Sequence, residues 1–433
     1  MSILVRVFTG SFWAATGGVV NRGCGLLSMI LVARLLGGEA FGEFGLIRNT
    51  LLMLLTFGSV GVGVTATKFV AQYRGSPDCL TKAMSWFFQF SLLLGLAMAL
   101  TLIILSGFIS GTILEVKSAN SGLQLAALAV FFCAINNCQT GILSGFEAFK
   151  FVALINVGNG LFTLVAVAVG ARLWGVDGAV LGLGVAALLS SILGKQLLVR
   201  LRKGVANNVA ATRSGQSAEA RFNRNEINKY CLAITLSGIS VAPVLWLCNA
   251  FLSRSDNGLM QVALYEAANQ WRMLILFVPS LIAQVLLPVF ASVNNRGEFN
   301  SVLKISIIIT FSASAFMALL LALLPSQLMS LYGAQFIGAE EVVRWLAATA
   351  VLMAVNNTIG QAIAGSGNVW HGFVMNLIWA ALVLVLSWCF VSRQMGAAGV
   401  AAAQFIAYGI HTVLQMIYTK YFILKDKSAL RLT

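Results

Sequence analysis

The chain has 433 residues, 59% of them hydrophobic and only 10% charged, with a mean hydropathy of +0.89. A water-soluble globular exterior needs about 25% charged residues, so this composition excludes one and makes lipid the solvent. The formal net charge of +14 does not point to nucleic acid, because the basic residues sit between apolar runs and are not interleaved with aromatics.

Apolar runs of about 20 residues recur along the whole length and predict an all-α polytopic membrane protein with about twelve transmembrane helices. They fall at 8–34, 43–70, 83–107, 122–145, 151–171, 177–199, 230–253, 262–290, 302–325, 342–364, 370–392 and 397–421. No cleaved signal peptide is expected, since Arg22 interrupts the apolar core one would need. With the N-terminus placed in the cytoplasm, 19 of the 28 Lys and Arg residues fall in cytoplasmic segments, 6 in outer segments and 3 inside spans. That bias predicts both termini inside. The longest polar stretch, 200–229, has no apolar periodicity and is expected to be a cytoplasmic linker between an N-terminal lobe, 1–199, and a C-terminal lobe, 230–433.

The two lobes repeat each other. Ala134-Ile135-Asn136-Asn137 recurs as Ala354-Val355-Asn356-Asn357, an offset of 220, and at that offset Arg34 meets Arg254, Gly38 meets Gly258, Asn49 meets Asn269, Phe57 meets Phe277 and Asn156 meets Asn376. Gly175-Val176-Asp177-Gly178 meets Gly396-Ala397-Ala398-Gly399 at an offset of 221. Six spans per repeat is an even number, so both halves point the same way, a parallel repeat whose axis lies along the membrane normal with the substrate path between the halves.

Three arginines lie where a lipid-facing helix should have none: Arg22, Arg48 and Arg272. Each costs about 2.5–3.5 kcal/mol at the centre of a span, so each is expected to face a partner or a wet cavity. Counted at about 1.5 Å per residue, Arg22 and Arg272 fall in the central region and Arg48 near the outer mouth. Guanidinium suits phosphate because it is a planar fork of donors that stays protonated. Glu266, Asn269 and Arg272, spaced i, i+3, i+6, share one helix face and predict a polar wall in which Glu266 balances Arg272 or takes up a coupling ion. Arg22, Arg48, Arg272, Asn269, Asn21 and Asn49 are the candidate substrate-binding residues, the arginines as groups that offset an anion's charge. The amides Asn136, Asn137, Asn356, Asn357, Gln139 and Gln361 are expected to join helices. Gly58, Gly61 and Gly63, with Pro279 and Pro288 in the matching span, are expected bending points.

No metal or cofactor is expected, and no catalytic residue. The seven cysteines form no CxxC, the two histidines, His371 and His411, are expected to be structural, and no GxSxG, HExxH or P-loop occurs. Without a nucleotide fold, transport has to draw on a gradient or the membrane potential. Two negative charges moved outward gain about 4–5 kcal/mol per 100 mV.

Ala33-Arg34-Leu35-Leu36-Gly37-Gly38-Glu39-Ala40-Phe41-Gly42-Glu43-Phe44-Gly45, followed by Thr65-Ala66-Thr67-Lys68-Phe69-Val70-Ala71-Gln72-Tyr73, resembles the opening of the polysaccharide-transport, Wzx-type flippases, within the multidrug/oligosaccharidyl-lipid/polysaccharide exporter superfamily. Gly38 departs from it, standing where many relatives carry proline. The resemblance implies a bacterial inner-membrane flippase for an undecaprenyl-pyrophosphate-linked oligosaccharide, such as an O-antigen repeat unit, working by alternating access through a cationic cavity. It implies a lipid-linked oligosaccharide and membrane lipids as partners, with a polysaccharide polymerase and a chain-length regulator nearby, and no nucleic acid. An organic-cation extruder of the same superfamily would place carboxylates in the cavity, where only Glu266 fits. A membrane glycan polymerase or ligase would carry a large periplasmic loop, whereas the long loop here is expected in the cytoplasm.

Overall fold

The computed structural model describes residues 3–211, 222–238, 241–293, 295–366 and 368–423. The helices are α1 Ile3–Leu36, α2 Gly38–Thr56, α3 Ser59–Tyr73, α4 Pro77–Phe108, α5 Ala119–Gly145, α6 Phe149–Ala211, α7 Arg224–Gly238, α8 Ala242–Ser253, α9 Gly258–Ile275, α10 Phe277–Ser292, α11 Arg296–Leu323, α12 Pro325–Ser330, α13 Glu340–Gly365, α14 Val369–Ser392 and α15 Gly396–Tyr418. Among the described residues, eight helices are long and apolar enough to cross a membrane, and nine when α2 and α3 count as one bent span. The twelve predicted spans map onto these helices once four composite cases are resolved, the bent α2–α3 pair being the second span. α6 holds two of them, broken where Trp174 and Gly175 leave helical geometry. The seventh is divided into α7 and α8, and the eighth into α9 and α10.

The chain forms two compact units, one of Met1–Leu36 with Glu43–Trp246 and the other of Gly37–Gly42 with Leu247–Thr433. The expected division at 200–229 lies partly outside the described residues, and contacts group the helices that flank it differently. α6 runs on as helix to Ala211, and α7 belongs to the first unit. The reason is packing against α3. The Thr235 hydroxyl occupies the space a side chain at Gly61 would need, Lys68 lies 3.8 Å from the centre of the Tyr230 ring, and Phe69 meets the same ring edge-on. The 37–42 segment joins the second unit for equally local reasons. Phe41 is fully buried against Tyr332 and Phe336, and Gly42 lets the Leu259 backbone approach closer than any side chain would allow.

The repeat recurs in the backbone of the two halves of the chain. Gly37, before α2, has φ 87°, and Asn257, before α9, has φ 52°. Gly175 and Gly396, the other aligned pair, have φ 62° and 52°. The second helix of each repeat breaks at the matched place, Phe57–Gly58 in one and Leu276 in the other. At the second break Pro279 stands in the first turn of α10, where its missing N–H costs nothing. The expected bending points therefore divide. Gly58 marks a break, whereas Gly61 and Gly63 serve close packing, the latter against the Asn137 carbonyl of α5. Side-chain detail at Pro288 lies outside the described residues.

In the first unit the halves of α6 fold back on each other through small residues. A Cβ at Gly178 would sit 2.0 Å from the Gly170 carbonyl oxygen, and a Cβ at Gly170 would sit 2.0 Å from that of Gly178. Such contact brings backbones together in lipid, where burial of apolar surface supplies little drive.

Candidate functional site

The predicted site residues divide between the two units. Asn21 and Arg22 stand on α1, and Arg48 and Asn49 on α2, all in the first unit; Glu266, Asn269 and Arg272 stand on α9, in the second. Arg22 is exposed, and Arg48 and Asn49 are half-buried. Asn21 is already engaged: its Oδ1 accepts from Asn159 Nδ2 at 3.2 Å, and Asn159 Oδ1 accepts from the Ser190 hydroxyl at 3.0 Å. That relay ties α1 to both halves of α6.

α9 carries the densest polar cluster. Arg272 and Glu266 are each only 1% exposed, so neither meets bulk water here. A buried guanidinium is costly unless hydrogen-bonded. Arg272 Nη1 donates to Gln404 Oε1 of α15, and Gln404 Nε2 donates to the Tyr265 hydroxyl at 2.6 Å. The guanidinium also lies 6.0 Å from the centre of the Tyr265 ring. Arg272 Nε and Nη2 have no hydrogen-bond partner among the described residues, and neither has Asn269 Oδ1. One edge of the guanidinium is thus spent on protein and the other keeps two donor nitrogens. Toward the other end of the stripe, outside the spans, burial and the charge of Glu266 push the Tyr332 phenol up, so it stays protonated.

Gln404 and Tyr265 were not among the expected site residues. The available signal was a single amide, Gln404, in the otherwise apolar Gly396–Ala407 run of α15. The amides expected to join helices do so in part. Asn137 donates to Ser59 Oγ, Gln139 to the Ser191 carbonyl at 3.1 Å and Asn356 to the Tyr408 carbonyl at 3.3 Å. Gln361 instead meets Asn357 along α13, on an exposed face. Among the described residues there is no group of three His, Cys, Asp or Glu able to hold a metal ion.

The break-and-repeat architecture and the apolar helices have clear relatives. The family model described as "Polysaccharide biosynthesis protein" matches residues 7–294. The chain belongs to this family. Relatives include the EPS I polysaccharide export inner membrane protein EpsE of Ralstonia nicotianae, 25% identical over 419 residues, covering 94% of this chain and 92% of that protein. Lipid III flippase of Escherichia coli strain K12 is 27% identical over 190 residues, covering 44% of this chain and 46% of that protein. Among solved structures, the inward-facing conformation of a multidrug resistance MATE family transporter of the MOP superfamily is similar with a TM-score of 0.77 at 17% identity, covering 94% of each chain. A MOP superfamily transporter from Pyrococcus furiosus gives 0.72 at 18% identity, covering 99% of this chain and 96% of that one. At such identities these structures establish the shared fold of this family member, a multi-pass helical membrane protein.

Proposed function

We propose that the chain is a flippase that moves a polyprenyl-pyrophosphate-linked oligosaccharide, of the undecaprenyl type, from the cytoplasmic to the periplasmic leaflet of a bacterial inner membrane by alternating access. Family membership and the export and flippase names of its relatives support the transport of polysaccharide precursors. The pyrophosphate as the recognised group rests on Arg272. Its Nε and Nη2 form the fork edge that pairs with two oxygens of one phosphate, and no described protein group uses them. In the present conformation that edge is closed to water, so alternating access requires a second state in which it opens. Arg22, exposed on α1, is the cation an anionic head group meets without such opening. On this reading Arg48 and Asn49 in the first unit and Asn269 in the second are the further polar groups offered to the cargo. Glu266 is the acidic counterweight that keeps the second unit from carrying an unbalanced buried charge. Both termini lie in the cytoplasm, and the polymerase and chain-length regulator that consume the flipped unit act on the periplasmic side.

The test is a strain that requires this chain for surface polysaccharide. Deletion is expected to accumulate the complete lipid-linked repeat unit on the cytoplasmic leaflet. Arg22→Ala and Arg272→Ala are expected to reproduce that accumulation at normal protein levels. Full export by both variants would overturn the assignment, and accumulation of an unpolymerised unit on the periplasmic leaflet would indicate a polymerase instead.

A further inference from the structure

The second unit contains a buried polar line that the flipping cycle above does not use. Gln404, Tyr408, His411, Gln415 and Tyr418 follow the i, i+4, i+7, i+11, i+14 pattern, and so share one face of α15 over about 21 Å. At one end Gln404 holds Arg272. In the middle Tyr408 packs on Trp379 of α14 at 5.0 Å between ring centres and on His411 at 6.5 Å. At the other end Tyr418 stacks at 4.9 Å on exposed His371, beside a groove of about 380 Å³ between α14 and α15. The chain has two histidines, and both lie on this line.

His411 is not held as a purely structural histidine would be. It is 5% exposed, its Nδ1 has no hydrogen-bond partner among the described residues, and its Nε2 is 3.4 Å from Gln415 Nε2. Gln415 Oε1 and Asn356 Oδ1, in the same α13–α15 seam, are also buried without partners. Gln415 Oε1 lies on the same amide whose nitrogen faces the imidazole, so a turn of that amide would give an imidazolium N–H the acceptor it requires. The surrounding charges are few. α15 contributes the phenols Tyr408 and Tyr418, the turn Thr419–Ile423 that continues it adds Lys420 and Tyr421, and α14 has only His371 and Cys389. α13 has no ionisable side chain after Arg344, and α9 presents Tyr265, Glu266 and Arg272. No carboxylate on α13 beyond its first turn, on α14 or on α15 can balance a proton at His411. The permanent charge nearest along the line is Arg272.

We propose that His411 is a proton-binding site whose occupancy is linked through this line to the charge at Arg272, so that a proton and an anionic pyrophosphate bind the second unit cooperatively. The anion half of this linkage rests on the cargo reading above; the proton half does not. Taking the rise from Gln404 to His411, about 10 Å, as the charge separation, the charge on Arg272 would by repulsion weaken proton binding at His411 on the order of tenfold at an effective dielectric constant of about 20. Neutralising Arg272 removes that repulsion. By reciprocity, a proton at His411 tightens anion binding by the same factor.

The experiment uses full-length protein in nanodiscs, labelled with carbon-13 at histidine Cε1. Its two histidine signals are assigned with His371→Asn and His411→Asn. Arg272→Gln is expected to tighten proton binding at His411 about tenfold while leaving His371 unmoved, with Arg272→Met as a second route to charge removal should the first variant not fold. Farnesyl pyrophosphate is expected to do the same to the unsubstituted chain. If the Arg272 variants move His411 but farnesyl pyrophosphate does not, the proton site stands and the pyrophosphate reading fails. If His411 does not titrate in any of these samples, if the Arg272 variants leave it unmoved, or if His371 moves equally, the proposal is overturned.

Discussion

The Arg272–Gln404 contact gives the sharpest test of how the second unit is held together. Both side chains are essentially inaccessible, at 1% and 0% exposure, and the amide oxygen of Gln404 accepts from the guanidinium. Gln404→Leu keeps the volume but leaves a buried charge without that acceptor and the Tyr265 hydroxyl without its donor. Breaking a buried charged contact from one side costs about 3–5 kcal/mol. Arg272→Met removes the charge and strands the Gln404 carbonyl, at about 1–3 kcal/mol. Together the two substitutions remove both polar groups and leave an apolar contact of similar volume, which is often neutral. The cycle is therefore expected to show a coupling of at least about 2 kcal/mol, since the double variant strands neither the guanidinium nor the Gln404 carbonyl, and any cost of leaving Glu266 without Arg272 is shared with Arg272→Met and cancels. Reversible unfolding of the purified chain in mixed micelles measures the cycle. If the single costs add to within about 0.5 kcal/mol, the two groups are not partners and the reasoning fails.

Two further outcomes follow from the packing. Gly178→Ala is expected to abolish accumulation of folded protein, because its Cβ would sit 2.0 Å from a backbone oxygen that cannot move aside, whereas Gly23→Ala, with open space at its Cβ, is expected to leave the melting temperature unchanged or slightly raised; membrane levels and thermal melts of both variants check this. Arg74 donates from Nε and Nη2 to the Gly145 carbonyl at the end of α5 and pairs with Glu147 at 3.2 Å, so Arg74→Ala is expected to cost about 1.5–3 kcal/mol and Glu147→Ala less than about 1 kcal/mol; equal losses in an unfolding assay would refute the capping role.

The helices were legible because lipid imposes a length and a composition on each span, and the repeat was legible because aligned residues carry a shared backbone requirement. Gly37 and Asn257 show the second point. They are different residues, but both tolerate the left-handed geometry that starts the next helix. The breaks within α2–α3 and α9–α10 were legible only as weak points, since glycine and proline permit a bend without dictating where it falls. The unit boundary was illegible. The polarity around 200–229 marks where a chain can leave the membrane, whereas membership of a unit is decided by contacts such as Thr235 on Gly61, made between residues distant in sequence.

The site shows the same limit in sharper form. Spacing alone placed Glu266, Asn269 and Arg272 on one face, but it carried no information about what that face meets, because Gln404 lies 132 residues away in an alanine-rich helix. The difference bears on mechanism. An arginine with every donor satisfied by protein would be a structural strut, and one open to water would be a standing attraction for any anion. Arg272 is neither: it is held at one edge by Gln404, spare at the other and closed off. Such a group binds an anion only after the unit rearranges, and binding then stabilises the rearranged state by the differential affinity alone. On the proposed function, a cation hidden in one state and available in another would give the cargo a reason to drive the conformational change, which Arg22, already exposed in this state, would not do by itself.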